Sequence, residues 1–177
     1  MDFNNIALEN AKSIKLLILD VDGVLTDGGL YFDDNGGELK RFNALDGHGI
    51  KMLMDAGIEV GIISARNSKP VAHRLEGLGI KHHYQGQTNK VVAFEALLKT
   101  LCLDSTQVAY VGDDVIDLPV MSKVALPIAV ANAHTFVKEH AVLTTKNTGG
   151  NGAVREVCDY LLVSQNKYDD LMASYLE

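Results

Sequence analysis

Apolar residues along this chain arrive in short, nearly unbroken runs, separated by longer stretches in which they recur every three or four positions. Residues 15–21 (KLLILDV), 57–64 (GIEVGIIS) and 107–112 (QVAYVG) are such runs. Their length and lack of alternation predict strands buried on both faces of a parallel sheet. Residues 126–130 and 141–145 predict two shorter strands further on. His82 and His83, just after Ile80, read as surface imidazoles at a strand edge.

Between the runs the spacing is helical. Ile50, Leu53 and Met54 predict a helix over 49–56, with Met52–Met54 on a core face. Ser68 is the expected N-cap of the next helix, Pro70 lies in its first turn, Val71, Leu75 and Leu78 share one face, and Gly79 closes it. Residues 90–101 form a third helix with Val91, Phe94, Leu98 and Leu101 on one stripe. Asp117 opens a short one with Pro119 in its first turn, and 152–163 is the last clear helix. Alternation of this kind predicts an α/β fold, a Rossmann-like doubly wound parallel sheet, in one domain over residues 1–177.

Two segments break the alternation. Residues 28–42 (GGLYFDDNGGELKRF) read as two short strands around an Asn35–Gly36 turn, a β-hairpin inserted directly after the first strand. The tail, residues 164–177, is helix-compatible, and its Tyr168, Leu171, Met172, Tyr175 and Leu176 call for a covering surface.

Composition narrows the class. The chain has 177 residues, 47% of them hydrophobic, enough for a real core. No apolar stretch approaches the ~18 residues of a membrane span, and the N-terminus lacks the basic-then-apolar order of a secretory signal. A cytoplasmic location without membrane partners is the expectation. Cys102 and Cys158 form no CxxC pair and read as two buried free thiols. The net charge of −7 argues against nucleic acid as a partner, and any anionic substrate then needs a local cluster of cations.

The chemistry concentrates where strands end. Asp20 and Asp22, in the run DVDGVLT (20–26), leave the first strand at the edge where open α/β sheets bind ligands. Taken alone, the pair also suits two capping aspartates in a turn. A later strand ends in the same way, in GDDVID (112–117), with Asp113, Asp114 and Asp117. A hard cation such as Mg²⁺ takes oxygen ligands, and Asp20, Asp113 and a backbone carbonyl would suit it. Ser64 ends the second strand and Lys90 opens the helix before the third. A hydroxyl, an ammonium and a divalent cation around one carboxylate make a phosphoryl-transfer site. The six histidines do not cluster at ligand spacing, although His48 starts a helix close to residues 43–47. Residues 148–152 (TGGNG) lack the P-loop spacing and read as a flexible loop leading into the last helix.

In the order DVDGVLT, Ser64, Lys90 and GDDVID, these motifs resemble the haloacid dehalogenase superfamily of phosphohydrolases over roughly residues 14–130. The resemblance implies Asp20 as covalent nucleophile, Asp22 as general acid and base, and Ser64 and Lys90 as phosphoryl contacts. It implies Asp20, Asp22 and Asp113 as the Mg²⁺ ligands, with Asp114 and Asp117 orienting Lys90 or metal-bound waters. One departure is Ile116, where many members carry asparagine; it is not expected to be a ligand.

Over nearly the whole length, DVDGVLTDGGLYF, KRFNALDGHGI, IISARNS, QGQTNK, GDDVIDLPVM and GGNGAVRE are similar to the family of 3-deoxy-D-manno-octulosonate 8-phosphate phosphatases. These act on a sugar-acid phosphate whose product, Kdo, enters lipopolysaccharide. This resemblance implies a capless, homotetrameric enzyme whose hairpins pack together and whose tail can cover a neighbour's site. It assigns substrate contacts to Asp22, Asn43, Ala44, Leu45, Asp46, Gly47, Lys51, Arg66, Arg74 and Lys90. A nine-carbon keto-deoxy sugar phosphate is the near alternative. A receiver-like signalling domain also combines an acidic cluster, Ser/Thr, lysine and aspartyl phosphate, but its phosphoacceptor sits on a later strand.

Overall fold

The computed structural model describes residues 5–176. In chain order the strands are β1 (Leu16–Leu19), the hairpin pair β2 (Tyr31–Phe32) and β3 (Glu38–Leu39), then β4 (Glu59–Ile63), β5 (His82–Tyr84), β6 (Val108–Gly112), β7 (Leu126–Ala129) and β8 (Leu143–Thr144). Six of them form one parallel sheet in the order β5-β4-β1-β6-β7-β8. The chain winds from β1 outward through β4 to β5, then returns across β1 to begin β6. That reversal creates a crevice between β1 and β6 at their carboxyl ends, the position where doubly wound sheets place their ligands.

Burial explains the pattern. All four residues of β1 and all five of β6 are buried, as their continuous apolar runs require. Full burial of a leucine or isoleucine is worth about 1.5–3 kcal/mol, so the central strand alone contributes on the order of 6–12 kcal/mol as an upper bound. β5 is a strand in its own right, formed by the two histidines and Tyr84. Only one neighbour pairs with it, and its side chains are half-buried or exposed, so polar residues suffice there.

The helices are α1 (Asn5–Lys12), α2 (Ala44–Asp55), α3 (Lys69–Leu78), α4 (Lys90–Leu101), α5 (Leu118–Met121), α6 (Thr135–Glu139), α7 (Ala153–Ser164) and α8 (Tyr168–Ala173). α1 and α6 had no clear apolar period. α2 starts five residues earlier than the sequence spacing suggested, because the Asn43 side chain caps it by accepting the Leu45 and Asp46 amides. The buried face of α4 runs through Lys90, Ala93, Phe94 and Leu97, which turns the first residue of the helix inward. Gly79 closes α3 at φ 77°, as a left-handed cap should.

The hairpin forms as expected, with Tyr31 opposite Leu39 and Phe32 opposite Glu38. Its outer surface leaves Leu30, Tyr31, Phe32 and Leu39 exposed. The tail folds back on its own chain. Tyr168, Leu171 and Met172 pack on the core, while Tyr175 meets His48 edge to face at 5.5 Å. The expectation of two buried thiols holds for Cys158 only. Cys102 is exposed, because it occupies the left-handed cap of α4 at φ 53° rather than its buried face.

Candidate active site

Strand register sets the first distances. Leu19 lies beside Ile62 on one side and Val111 on the other, so the residues that follow reach one sheet edge together: Asp20, Ser64 and Asp113. Two loops are then locked against each other. Gly23 sits at φ 93°, and a Cβ there would fall 2.1 Å from Asp113 Oδ2, so the loop after β1 is shaped to admit that carboxylate. Behind it, residues 149–150 form a buried backing rather than a flexible loop. A Cβ on Gly149 would lie 1.7 Å from the Gly23 carbonyl oxygen, and the Gly150 amide donates to Val24 O at 2.9 Å.

Carboxylate oxygens of Asp20, Asp113 and Asp117 converge within 4.8 Å of one another. Their only close ammonium among the described residues is Lys90, almost fully buried, which donates to Asp20 Oδ1 at 2.6 Å and Asp117 Oδ1 at 2.7 Å. Asp117 is fully committed. Its Oδ1 also accepts from the Tyr110 hydroxyl at 2.7 Å, and its Oδ2 accepts the Asp113 and Asp114 amides. It therefore orients Lys90, and Asp20 and Asp113 keep oxygens for another cation. Asp114 is exposed and caps the turn after β6 through the Val115 amide.

The electrostatics show a site short of positive charge. Burial, then repulsion from Asp117, lifts the Asp20 carboxyl to about 7 despite Lys90. Burial and the neighbouring acids Asp20 and Asp117 lift Asp113 to about 8. Lys90 loses water, which favours its neutral form, but Asp20 and Asp117 outweigh this and raise it above its ordinary value. Two buried acids and a half-buried one against one ammonium fit a divalent, oxygen-seeking ion held by Asp20 and Asp113.

A cleft of about 140 Å³ opens over this cluster, lined by Asp20, Asp22, Ser64, Ala65, Arg66, Asp113, Asp114 and Ile116. Ile116 forms an apolar wall, as its side chain allows. A larger hollow, about 570 Å³, lies along α7 and contains neither Asp20 nor Asp113. Chemistry therefore outweighs volume in locating the site.

The other expected contacts separate. Arg66 lines the cleft but its Nη2 holds Glu38 at 2.7 Å. Ser68 takes the cap position of α3 without capping it, because its hydroxyl donates to Glu38 at 2.6 Å. Residues 43–47 do not form a loop over the cleft. Asn43 caps α2, and buried Asp46 accepts the Gly152 and Arg155 amides, tying α2 to α7. Ala44, Gly47, Lys51 and Arg74 line a separate hollow with His48. There Arg74 donates to Asn43 O at 3.3 Å and lies 5.9 Å from the Phe42 ring. Leu45 faces the α7 hollow.

Sequence reasoning missed Tyr110, Glu38 and Lys40. Lys40 bonds Asp22 Oδ1 and lies 3.4 Å from Glu38 Oε1. A lysine within an expected strand gives no warning of burial. Its bond to Asp22 in the loop after β1 does.

The family model for haloacid dehalogenase-like hydrolases matches residues 82–157. The 3-deoxy-D-manno-octulosonate 8-phosphate phosphatase KdsC of Escherichia coli K12 is 53% identical over 163 residues, 92% of this chain and 87% of that protein. The solved Yersinia pestis phosphatase of the same name is 48% identical, with a TM-score of 0.92 over 93% of this chain and 89% of that one. The Moraxella catarrhalis phosphatase, solved with magnesium, phosphate and KDO, is 39% identical, with a TM-score of 0.95 over 98% and 99% of the two chains. With the Asp20 loop, Lys90 and the paired acids Asp20 and Asp113 all at one sheet edge, the chain belongs to the 3-deoxy-D-manno-octulosonate 8-phosphate phosphatase family of haloacid dehalogenase-like hydrolases.

Proposed function

We propose that residues 1–177 act as one catalytic domain that hydrolyses 3-deoxy-D-manno-octulosonate 8-phosphate to Kdo and phosphate, with Mg²⁺, on the route to lipopolysaccharide. The observation that carries this reading is the convergence of Asp20 and Asp113 beside Lys90 in a cleft that also holds Asp22 and Ser64. The receiver-like alternative yields to the position of Asp20 after the first strand and to the hydrolase family.

Bound Mg²⁺ would neutralise charge on the phosphoryl oxygens and on Asp20. Asp20 attacks phosphorus, forming an O–P bond as the ester P–O bond breaks. Asp22 gives its proton to the departing sugar oxygen. It then takes a proton from the water that attacks the aspartyl phosphate, and the Asp20–phosphorus bond breaks, releasing phosphate. Lys90 stays charged between Asp20 and Asp117, and Ser64 donates to a phosphoryl oxygen.

Arg66, which lines the cleft where Arg74 does not, is the proposed partner of the sugar-acid carboxylate within this chain, with guanidinium donors beyond the one used by Glu38. Lys51 and Arg74, with residues 43–47, serve as contacts where a neighbouring copy brings their hollow to the cleft. A homotetramer is the proposed state, supported by the exposed apolar hairpin. The proposed location is the cytoplasm, supported by two free cysteines. Among the described residues no helix is long and apolar enough to cross a membrane.

The test is phosphate release over a panel of sugar phosphates with Mg²⁺. The eight-carbon sugar-acid phosphate should give the highest kcat/KM, and Asp20→Asn should lose at least about a thousandfold in kcat. A higher kcat/KM for a nine-carbon analogue would overturn the substrate. Full activity of Asp20→Asn would overturn the covalent route.

A further inference from the structure

Lys40 lies at the base of an otherwise exposed hairpin, yet its side chain is only 1% accessible. An ammonium withdrawn from water needs compensating acids. It has two. One is Asp22, whose Oδ1 it bonds, and the other is Glu38 at 3.4 Å. Glu38 is itself fixed from the far side, by Arg66 at 2.7 Å and the Ser68 hydroxyl at 2.6 Å. The hydrogen bond from Ser68, with the cations Lys40 and Arg66, holds the Glu38 carboxyl below its ordinary value. A continuous polar chain therefore runs from the loop after β1, through the hairpin, to the loop after β4.

We infer that Lys40 is the positioning residue for the general acid Asp22: by occupying Oδ1 it fixes the carboxyl plane and leaves Oδ2 to exchange the proton with the ester oxygen and then with water. This rests on the proposed role of Asp22 and extends it. The Lys40 bond is the one hydrogen bond found for the Asp22 side chain among the described residues. Without it, a partly exposed aspartate on a loop is free to rotate. The hairpin thus reaches into the chemistry of its own chain, besides presenting an apolar outer surface.

General-acid help matters only when the departing oxygen is strongly basic. A sugar alkoxide needs the proton; 4-nitrophenolate hardly does. Positioned general acids contribute about 10²–10⁴-fold. Lys40→Met should therefore lose about a hundredfold in kcat on the sugar-acid phosphate but less than about threefold on 4-nitrophenyl phosphate, with KM for either little changed. Lys40→Arg, which restores a donor to Asp22, should recover to within about tenfold of the unaltered enzyme on the sugar substrate. Where circular dichroism shows Lys40→Met unfolded, Lys40→Gln is read in its place and should show the same split between substrates.

Asp22→Asn is run alongside. If it shows the split and the Lys40 variants lose both substrates equally, or lose mainly in KM, Lys40 is a phosphate contact and the positioning inference is overturned. Unchanged kinetics of the Lys40 variants overturn it as well. If Asp22→Asn keeps full turnover of the sugar substrate, the role given to Asp22 fails first.

Discussion

The strongest quantitative consequence concerns competition between protons and the metal ion. In the ion-free site Asp20 titrates at about 7 and Asp113 at about 8, because burial and mutual repulsion disfavour their charges. These values belong to the coupled cluster as much as to each residue. An ion held as proposed, by Asp20 and Asp113, requires both carboxylates ionised. At pH 6 the two sites hold roughly 1.9 protons and at pH 9 about 0.1, by simple titration at those two values. Removing that proton penalty tightens binding about tenfold through Asp20 and about a hundredfold through Asp113, roughly a thousandfold from pH 6 to pH 9. Stability of the ion-free chain has the opposite slope. Both carboxyls titrate above the ordinary 3.8 of an aspartate, so the native chain holds more protons than the unfolded one between about pH 4 and 8, and stability falls as pH rises through that window. Isothermal titration calorimetry with Mg²⁺ at several pH values, in buffers of different ionisation enthalpy, measures both affinity and protons released. Nearly two protons released at pH 6 and almost none at pH 9 are expected. Affinity independent of pH over this range, with no proton release, would refute the reasoning.

Two further outcomes follow from packing. Gly149→Ala should cost about 1–3 kcal/mol, because the new methyl meets the Gly23 carbonyl, and it should also weaken Mg²⁺ binding by displacing the loop that seats Asp113. Gly77→Ala is the control, with open space around its Cβ on α3, and calorimetry should find its metal affinity unchanged. The double change Phe32→Ser and Leu39→Ser removes two side chains that are 60% and 63% exposed, so it should leave the monomer fold intact and shift light-scattering mass below that of a tetramer. Retention of the tetramer mass would mean that another surface holds the assembly.

Much of this protein was legible along the chain because its information is local. Continuous apolar runs can be satisfied only by strands covered on both faces, so β1, β4 and β6 were readable, as were the acids at their ends. The bounds of α4 follow from an unbroken helical stripe. β5 escaped because an edge strand buries too little to demand apolar residues. The sequence marked residues 43–47 only as substrate contacts, yet Asn43 and Asp46 serve helix ends, and Asp46 does so for a helix more than a hundred positions away. The sequence offered Asp114 and Asp117 as equals. Only packing separates them, by burying Asp117 against Lys90 and Tyr110 while leaving Asp114 in solvent. Lys40 is the plainest case. Nothing in the residues around it marks a buried cation, because burial is a property of the hairpin's placement over the β1 loop, and that placement brings it onto Asp22. Local periodicity determined the sheet and delivered the acids to its edge; the pairing of each charge depended on contacts between distant segments, which only the folded chain supplies.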